Sequence, residues 1–184
     1  MKKTLIIIIV VVVLVLLYGF STYNSLVTLN VNADTQWKQV EVNYQRRFDL
    51  IPNVVEATKG VMKQEQAIFT AIAEARTRYS GAVSADDKTK AANQMESALG
   101  RLLVITENYP QLKSSDSVRD LVVELEGSEN RISVERVRFN DAVRSYNLKV
   151  MRIPSSIIAS ITGFSQRDYF ESTKGSENAP QVKF

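Results

Sequence analysis

The chain has 184 residues, with 23 Lys and Arg, 20 Asp and Glu, and neither Cys nor His. Lacking those two residue types, it has no thiol nucleophile, no disulfide, no Ser-His-Asp triad, no Glu-x-x-His di-iron site and hardly any route to a zinc site. Setting Lys2 and Lys3 aside from the 23 basic residues leaves 21 against 20 acidic, so the sequence pI of about 9.1 misleads, and the interspersed charge carries no nucleic-acid footprint.

Thr4 to Phe20 reads TLIIIIVVVVLVLLYGF, with Lys2 and Lys3 in front of it. As a helix this run spans roughly 26 Å, enough for a bilayer hydrocarbon core if it stands nearly upright. Thr4, Leu5, Ile6, Val10, Leu14, Leu17, Tyr18 and Phe20 are the expected anchor residues, and the lipid bilayer is the first expected partner. A cleaved signal is the rival reading. It is disfavoured because Gly19-Phe20-Ser21 lacks the small-x-small alanine pattern and the run exceeds a usual signal core. Basic residues resist translocation, and none occurs between Ser21 and Trp37, so the N-terminus is expected in the cytoplasm and the rest outside.

Beyond the anchor, the spacing predicts four long helices. Leu26, Leu29, Ala33, Trp37, Val40, Tyr44 and Phe48 form one stripe, with no breaker separating it from the anchor. Asp49, Leu50, Ile51, Pro52 and Asn53 are expected to interrupt the rod, because Pro52 removes a backbone donor and disfavours helical geometry at Ile51. This turn would lie about 40 Å from the membrane, well placed as an interaction site. A second helix is predicted to about Tyr79, with Val54, Val61, Ile68 and Ala75 at heptad spacing. Ser80 to Asp87 reads as a polar loop ending in a helix cap. The third helix carries Ala92, Met95, Leu99, Leu102, Leu103 and Tyr109 and stops before Pro110. Ser114 to Ser117 can cap the longest helix, where Val118, Leu125, Ile132, Phe139 and Tyr146 recur every seven residues. Such a repeat favours shallow-angle packing, so the expected fold is all-α, an up-down antiparallel four-helix bundle continuous with the membrane helix.

If the first helix leaves the membrane and each successor reverses, the fourth ends near the bilayer. The apolar segment 153–164 follows it and is too short to span. It can lie in the interface or dock on the bundle base, and Tyr23, Ile157, Ile158, Ile161 and Phe164 are its expected membrane-proximal residues. The resulting division is an anchor over 1–22, a bundle over 23–152, the apolar segment 153–164 and a polar, mobile tail over 165–184.

These residues resemble the LemA family. The resemblance is carried by Tyr23-Asn24-Ser25-Leu26-Val27, by Gln45 to Val55 (QRRFDLIPNVV), by Glu74-Ala75-Arg76 and by Glu107-Asn108-Tyr109-Pro110. Its strongest parts are Leu125 to Ile132 (LEGSENRI), Arg138 to Val143 (RFNDAV) with Tyr146-Asn147, and the closing Ala179 to Phe184 (APQVKF). The resemblance implies a single-pass protein of the bacterial inner membrane with a helical bundle and no established catalytic activity. Association with a membrane peptidase or a TPM-domain protein is a further implication. It supplies no catalytic residues.

The segment from Glu126 to Asp141 is densely charged, and Ser128 and Glu135 fall on the stripe that continues Leu121. Buried charges cost several kcal/mol unless paired, so Arg46, Arg47, Arg76, Glu126, Glu129, Arg131 and Glu135 are expected to form a structural ion network. A carboxylate site from Glu65, Glu126 and Glu129 for Ca²⁺ or Mg²⁺ is disfavoured by the neighbouring arginines. Ser115 beside Lys113 is explained more simply by capping. No metal, cofactor, small-molecule substrate or catalytic residue is expected. The expected function is a self-associating envelope scaffold, present as a homo-oligomer, or an adaptor for a neighbouring protein. An enzyme or ligand-binding bundle is the competing class, and lipid remodelling by 153–164 is a third.

Overall fold

The computed structural model describes residues 2–59, 62 and 65–170, and among them every regular element is helical. Val61 and the tail beyond residue 170 lie outside the described residues. The elements are α1 (Lys2–Lys59), α2 (Gln66–Gly81), α3 (Ala85–Thr106), α4 (Pro110–Lys113), α5 (Asp116–Met151) and α6 (Ser155–Thr162). They fall into two compact units, residues 2–40 with 135–170 and residues 41–134, so α1 and α5 each contribute to both.

α1 is a single helix of 58 residues. Its first part is long and apolar enough to cross a membrane, and none of that apolar window is buried within the protein. Side chains from Leu5 to Leu17 all point to the outside. The rest of α1 buries Leu26, Ala33, Val40, Tyr44 and Phe48, as the stripe predicts.

The break expected at Asp49 to Asn53 does not occur, because Pro52 lies inside α1. A proline in a helix interior costs about 3 kcal/mol, since the carbonyl four residues back loses its donor. The apolar stripe nevertheless continues through Ile51, Val54 and Thr58, all buried. Burying Ile51 and Val54 stabilises by roughly 1.5–3 kcal/mol each, which outweighs the proline. The Thr58 hydroxyl is satisfied by the Val54 carbonyl at 2.8 Å. α1 therefore runs on to Lys59, and the next helix begins at Gln66.

In the unit formed by residues 41–134, the Tyr79 ring meets Phe48 at 4.4 Å and Tyr44 at 5.7 Å between centroids. Phe69 and Ile72 line a common groove with Ile51 and Val55, so α2 runs back along the end of α1. α2 also packs closely on α3. Small buried residues at Ala75, Ala91, Ala92 and Ala98 permit that approach. The loop expected over Ser80 to Asp87 is shorter, since α2 runs to Gly81 and α3 starts at Ala85. Ser84 is the cap, accepting from the Asp87 N–H at 3.0 Å while its hydroxyl donates to the Asp87 carboxylate at 2.7 Å. α3 ends at Thr106, and Pro110 opens the next turn at a position where its missing N–H is harmless. In α5 the heptad positions Val118, Leu125, Ile132, Phe139 and Tyr146 are all buried.

In the other unit, Leu26, Tyr146 and Ala159 form a core with Leu29, Val150, Ile158 and Phe164 packed against it. α6 ends at Gly163, whose φ of 79° is open to glycine and strained for other residues. That left-handed residue turns the chain so that the Phe164 N–H returns to the Ala159 carbonyl at 2.9 Å.

Candidate functional site

Three polar or amphipathic arrangements could carry function. The first lies where α1 emerges from its apolar run. A Cβ placed on Gly19 would sit 3.7 Å from Ile158 Cδ1, and the Tyr23 and Phe164 rings lie 5.9 Å apart. α6 therefore docks on α1, with Ser155 and Ala159 buried. The Ser155 hydroxyl is held by the carbonyls of Lys149 at 2.6 Å and Arg152 at 2.8 Å. Of the expected membrane-proximal residues, Ile158 and Phe164 pack inward, whereas Ile157 and Ile161 face outward.

The second arrangement holds residues 164–170, of which sequence reasoning assigned 165–170 to a mobile tail. The structure corrects this for residues 165–170. The Asn147 side chain donates to the Arg167 carbonyl at 2.8 Å and accepts from the Arg167 N–H at 2.9 Å. Asn140, seven residues earlier on the same face, does the same for Phe170, at 3.1 and 2.8 Å. Each amide thus satisfies both backbone groups of one residue, as a neighbouring strand would. The Tyr146 hydroxyl adds a bond to the Ser165 carbonyl at 2.9 Å. Arg167 reaches α1, donating to Asn30 at 2.9 Å and Asp34 at 2.7 Å. Phe170 is buried beside Trp37, with the Arg136 guanidinium 4.7 Å from its ring centre. The Tyr146 hydroxyl titrates above its ordinary range, chiefly because it is removed from water, with Arg167 lowering and Asp34 raising it.

The third is a polar centre in residues 41–134. Arg47 is 6% exposed and pairs with Glu129. Its Nη1 also lies 3.8 Å from Glu96 Oε1, which accepts from the Tyr44 hydroxyl at 3.2 Å. Lys88 pairs with Glu41 alongside. Only part of the expected network assembles. Arg47 and Glu129 meet, Glu135 pairs with Arg138 at 2.8 Å, and Arg46, Arg76, Glu126 and Arg131 lie exposed. Sequence reasoning missed Glu96 and Tyr44. The discriminating signal was spacing, since Val40, Tyr44, Arg47, Ile51, Val54 and Thr58 alternate by four and three, placing Arg47 inside the stripe and Arg46 outside it.

Of the expected turn, Asp49, Pro52 and Asn53 are exposed on the surface of α1, Leu50 is half-buried and Ile51 is core. Asp49 accepts from Gln45 at 2.9 Å, one helical turn away. Among the described residues no group of three carboxylates could hold a metal ion.

Burial, reinforced by Glu41, pushes the Tyr79 hydroxyl well above its ordinary value of 10.0. A tyrosine with a raised folded-state pKa contributes stability in full below about pH 10, which is lost as pH climbs towards the folded value. Tyr79→Phe removes that ionisation. Alkaline titration by circular dichroism is expected to show the wild type losing thermal stability above pH 10, and Tyr79→Phe losing less. Parallel loss in both would refute this.

These features define an all-helical protein with a candidate membrane-spanning first helix, whose polar side chains hold helices and a returning segment together. The chain belongs to the LemA family, whose profile matches residues 36–184. It is similar to the magnetosome proteins MamQ 1 and MamQ 2 of Paramagnetospirillum magneticum, each 27% identical over 175 residues, covering 81% of this chain and 64% of theirs. It is also similar to magnetosome protein MamQ of Magnetospirillum gryphiswaldense, 28% identical over 174 residues, with 80% and 64% coverage. The match thus spans a little under two thirds of each relative's length.

Proposed function

We propose that this chain is a non-catalytic, membrane-anchored scaffold of the bacterial cell envelope, working through contacts between copies of an antiparallel four-helix bundle. One observation carries the reading: α1 runs without interruption from the apolar N-terminal segment to Lys59, so anchor and core share one helix and no flexible linker separates them. Copies held in one membrane at a common orientation have a high effective concentration, and weak lateral contacts then suffice for assembly. Val123, Val134 and Val137 on α5 are all exposed, which supplies apolar side chains for such contacts. The N-terminus is in the cytoplasm, the membrane is the inner one, and the bundle lies outside it.

An adaptor role toward a membrane peptidase or a TPM-domain protein is the second reading, supported by the family membership and by the exposed Asp49, Pro52 and Asn53 beside an apolar groove. The chain has no native cysteine, so Val134→Cys introduces a single thiol. Thiol cross-linking of that variant in native membranes is expected to yield ladders of its own copies. Products containing only one copy would remove the scaffold, and a defined product with a different protein would establish the adaptor.

A further inference from the structure

The outer face of α6 is an apolar surface with a specific place in the fold. Ile153, Ile157 and Ile161 are 84%, 57% and 77% exposed, and Ile157 and Ile161 stand one helical turn apart on the side opposite the buried Ser155 and Ala159. Three isoleucines so close together are costly in water, by about 25 cal/mol for each Å² exposed. What covers them follows from where α6 is fixed. Its Ile158 rests against Gly19, and Gly19 is flanked by Tyr18 and Phe20 at the end of the apolar run of α1, where aromatic rings favour the bilayer boundary.

We propose that α6 is an interfacial helix, lying in the headgroup boundary of the leaflet from which α1 emerges, with Ile153, Ile157 and Ile161 in the acyl region. The inference rests on the reading of α1 as a membrane span. The chemistry of α6 suits that position. Its Thr162 hydroxyl donates to the Ile158 carbonyl at 2.6 Å, and the Ser155 hydroxyl is likewise bonded to backbone. The helix therefore brings few unsatisfied polar groups to lipid. Arg152 is exposed three residues before it, and Lys149 is half-exposed one turn earlier. These cations can reach the lipid phosphates while their stems follow the apolar surface. Docked at its inner face and embedded at its outer face, α6 gives the protein a second attachment beside α1. It restricts how the rod tilts, whereas a lone helix sets its tilt only by its length and flanking anchors.

The test uses the full-length chain in vesicles of phosphatidylcholine and phosphatidylglycerol. Single cysteines replace Leu14, Thr35, Ile157 or Ile161, each carrying a nitroxide whose collisions with oxygen and with a water-soluble nickel chelate are compared. Leu14 reports the span itself, and Thr35 the water-exposed face of α1. The oxygen-to-nickel ratio at Ile157 and Ile161 is expected about tenfold above that at Thr35, approaching that of Leu14. A lipid-like ratio at Leu14 with a water-like ratio at both α6 positions overturns the interfacial helix and leaves the span intact. A water-like ratio at Leu14 overturns the span, and the inference with it.

Discussion

Replacing Arg47 with alanine is expected to destabilise the folded protein by about 3 kcal/mol, because it removes a buried cation paired with Glu129 and close to Glu96. Arg47 is buried and sits at a core position of α1, with Glu129 paired to it and Glu96 close by. Breaking a fully buried pair costs roughly 3–5 kcal/mol, and the lower end applies because the Glu129 side chain is 38% exposed and rehydrates once released. Glu129→Ala should cost at least as much as Arg47→Ala. A guanidinium cannot escape burial by losing its proton, and Glu96, 3.8 Å away, compensates it less closely than Glu129 does. The Arg47→Met, Glu129→Leu double variant removes both charges and fills the volume, so it should recover most of the loss. Chemical denaturation of the four proteins in one detergent compares the two single losses with the recovery in the double variant. Single-variant losses below about 0.5 kcal/mol would place the pair among ordinary surface ion pairs.

The second large effect is expected at the asparagine clamp. Asn147→Ala removes a donor and an acceptor from the backbone of Arg167, and Asn140→Ala does the same to Phe170. With each bond contributing about 0.5–1.5 kcal/mol, the double variant should release residues 164–170 at a cost of roughly 2–6 kcal/mol. Asp is nearly isosteric with Asn but lacks the NH₂ donors, so Asn147→Asp should be nearly as damaging as alanine. Amide hydrogen exchange reads the effect directly. Protection at Arg167 and Phe170 should fall in the double variant, while the amides of α3 keep theirs. Unchanged protection at those two residues would mean that Phe170 and Tyr146 packing holds the segment without the amides.

Much of the helical framework could be read from the chain, because burial leaves a periodic trace. The α1 stripe, the heptads of α5 and the stop before Pro110 all reflect local rules acting in their usual direction. Pro52 was misread since a local penalty was weighed without the burial that Ile51, Val54 and Thr58 add beyond it. The docking of 165–170 left no periodic signal. An extended segment held through its backbone can have almost any sequence, and the information sits instead in Asn140 and Asn147, two amides seven residues apart on one face of α5. The ion centre was partly legible for a related reason. Many charges were available, but only Arg47 stood in register with the core, and Glu96 came from a helix whose pairing with α1 no linear pattern reveals.

The central claim is that α1 holds the mature protein in a membrane. Its most direct test is intact-mass measurement of the protein that remains in the membrane pellet after alkaline carbonate extraction. The account predicts a species retaining residues 4–20 in the pellet and little protein in the supernatant. A soluble species beginning beyond Phe20 would contradict it.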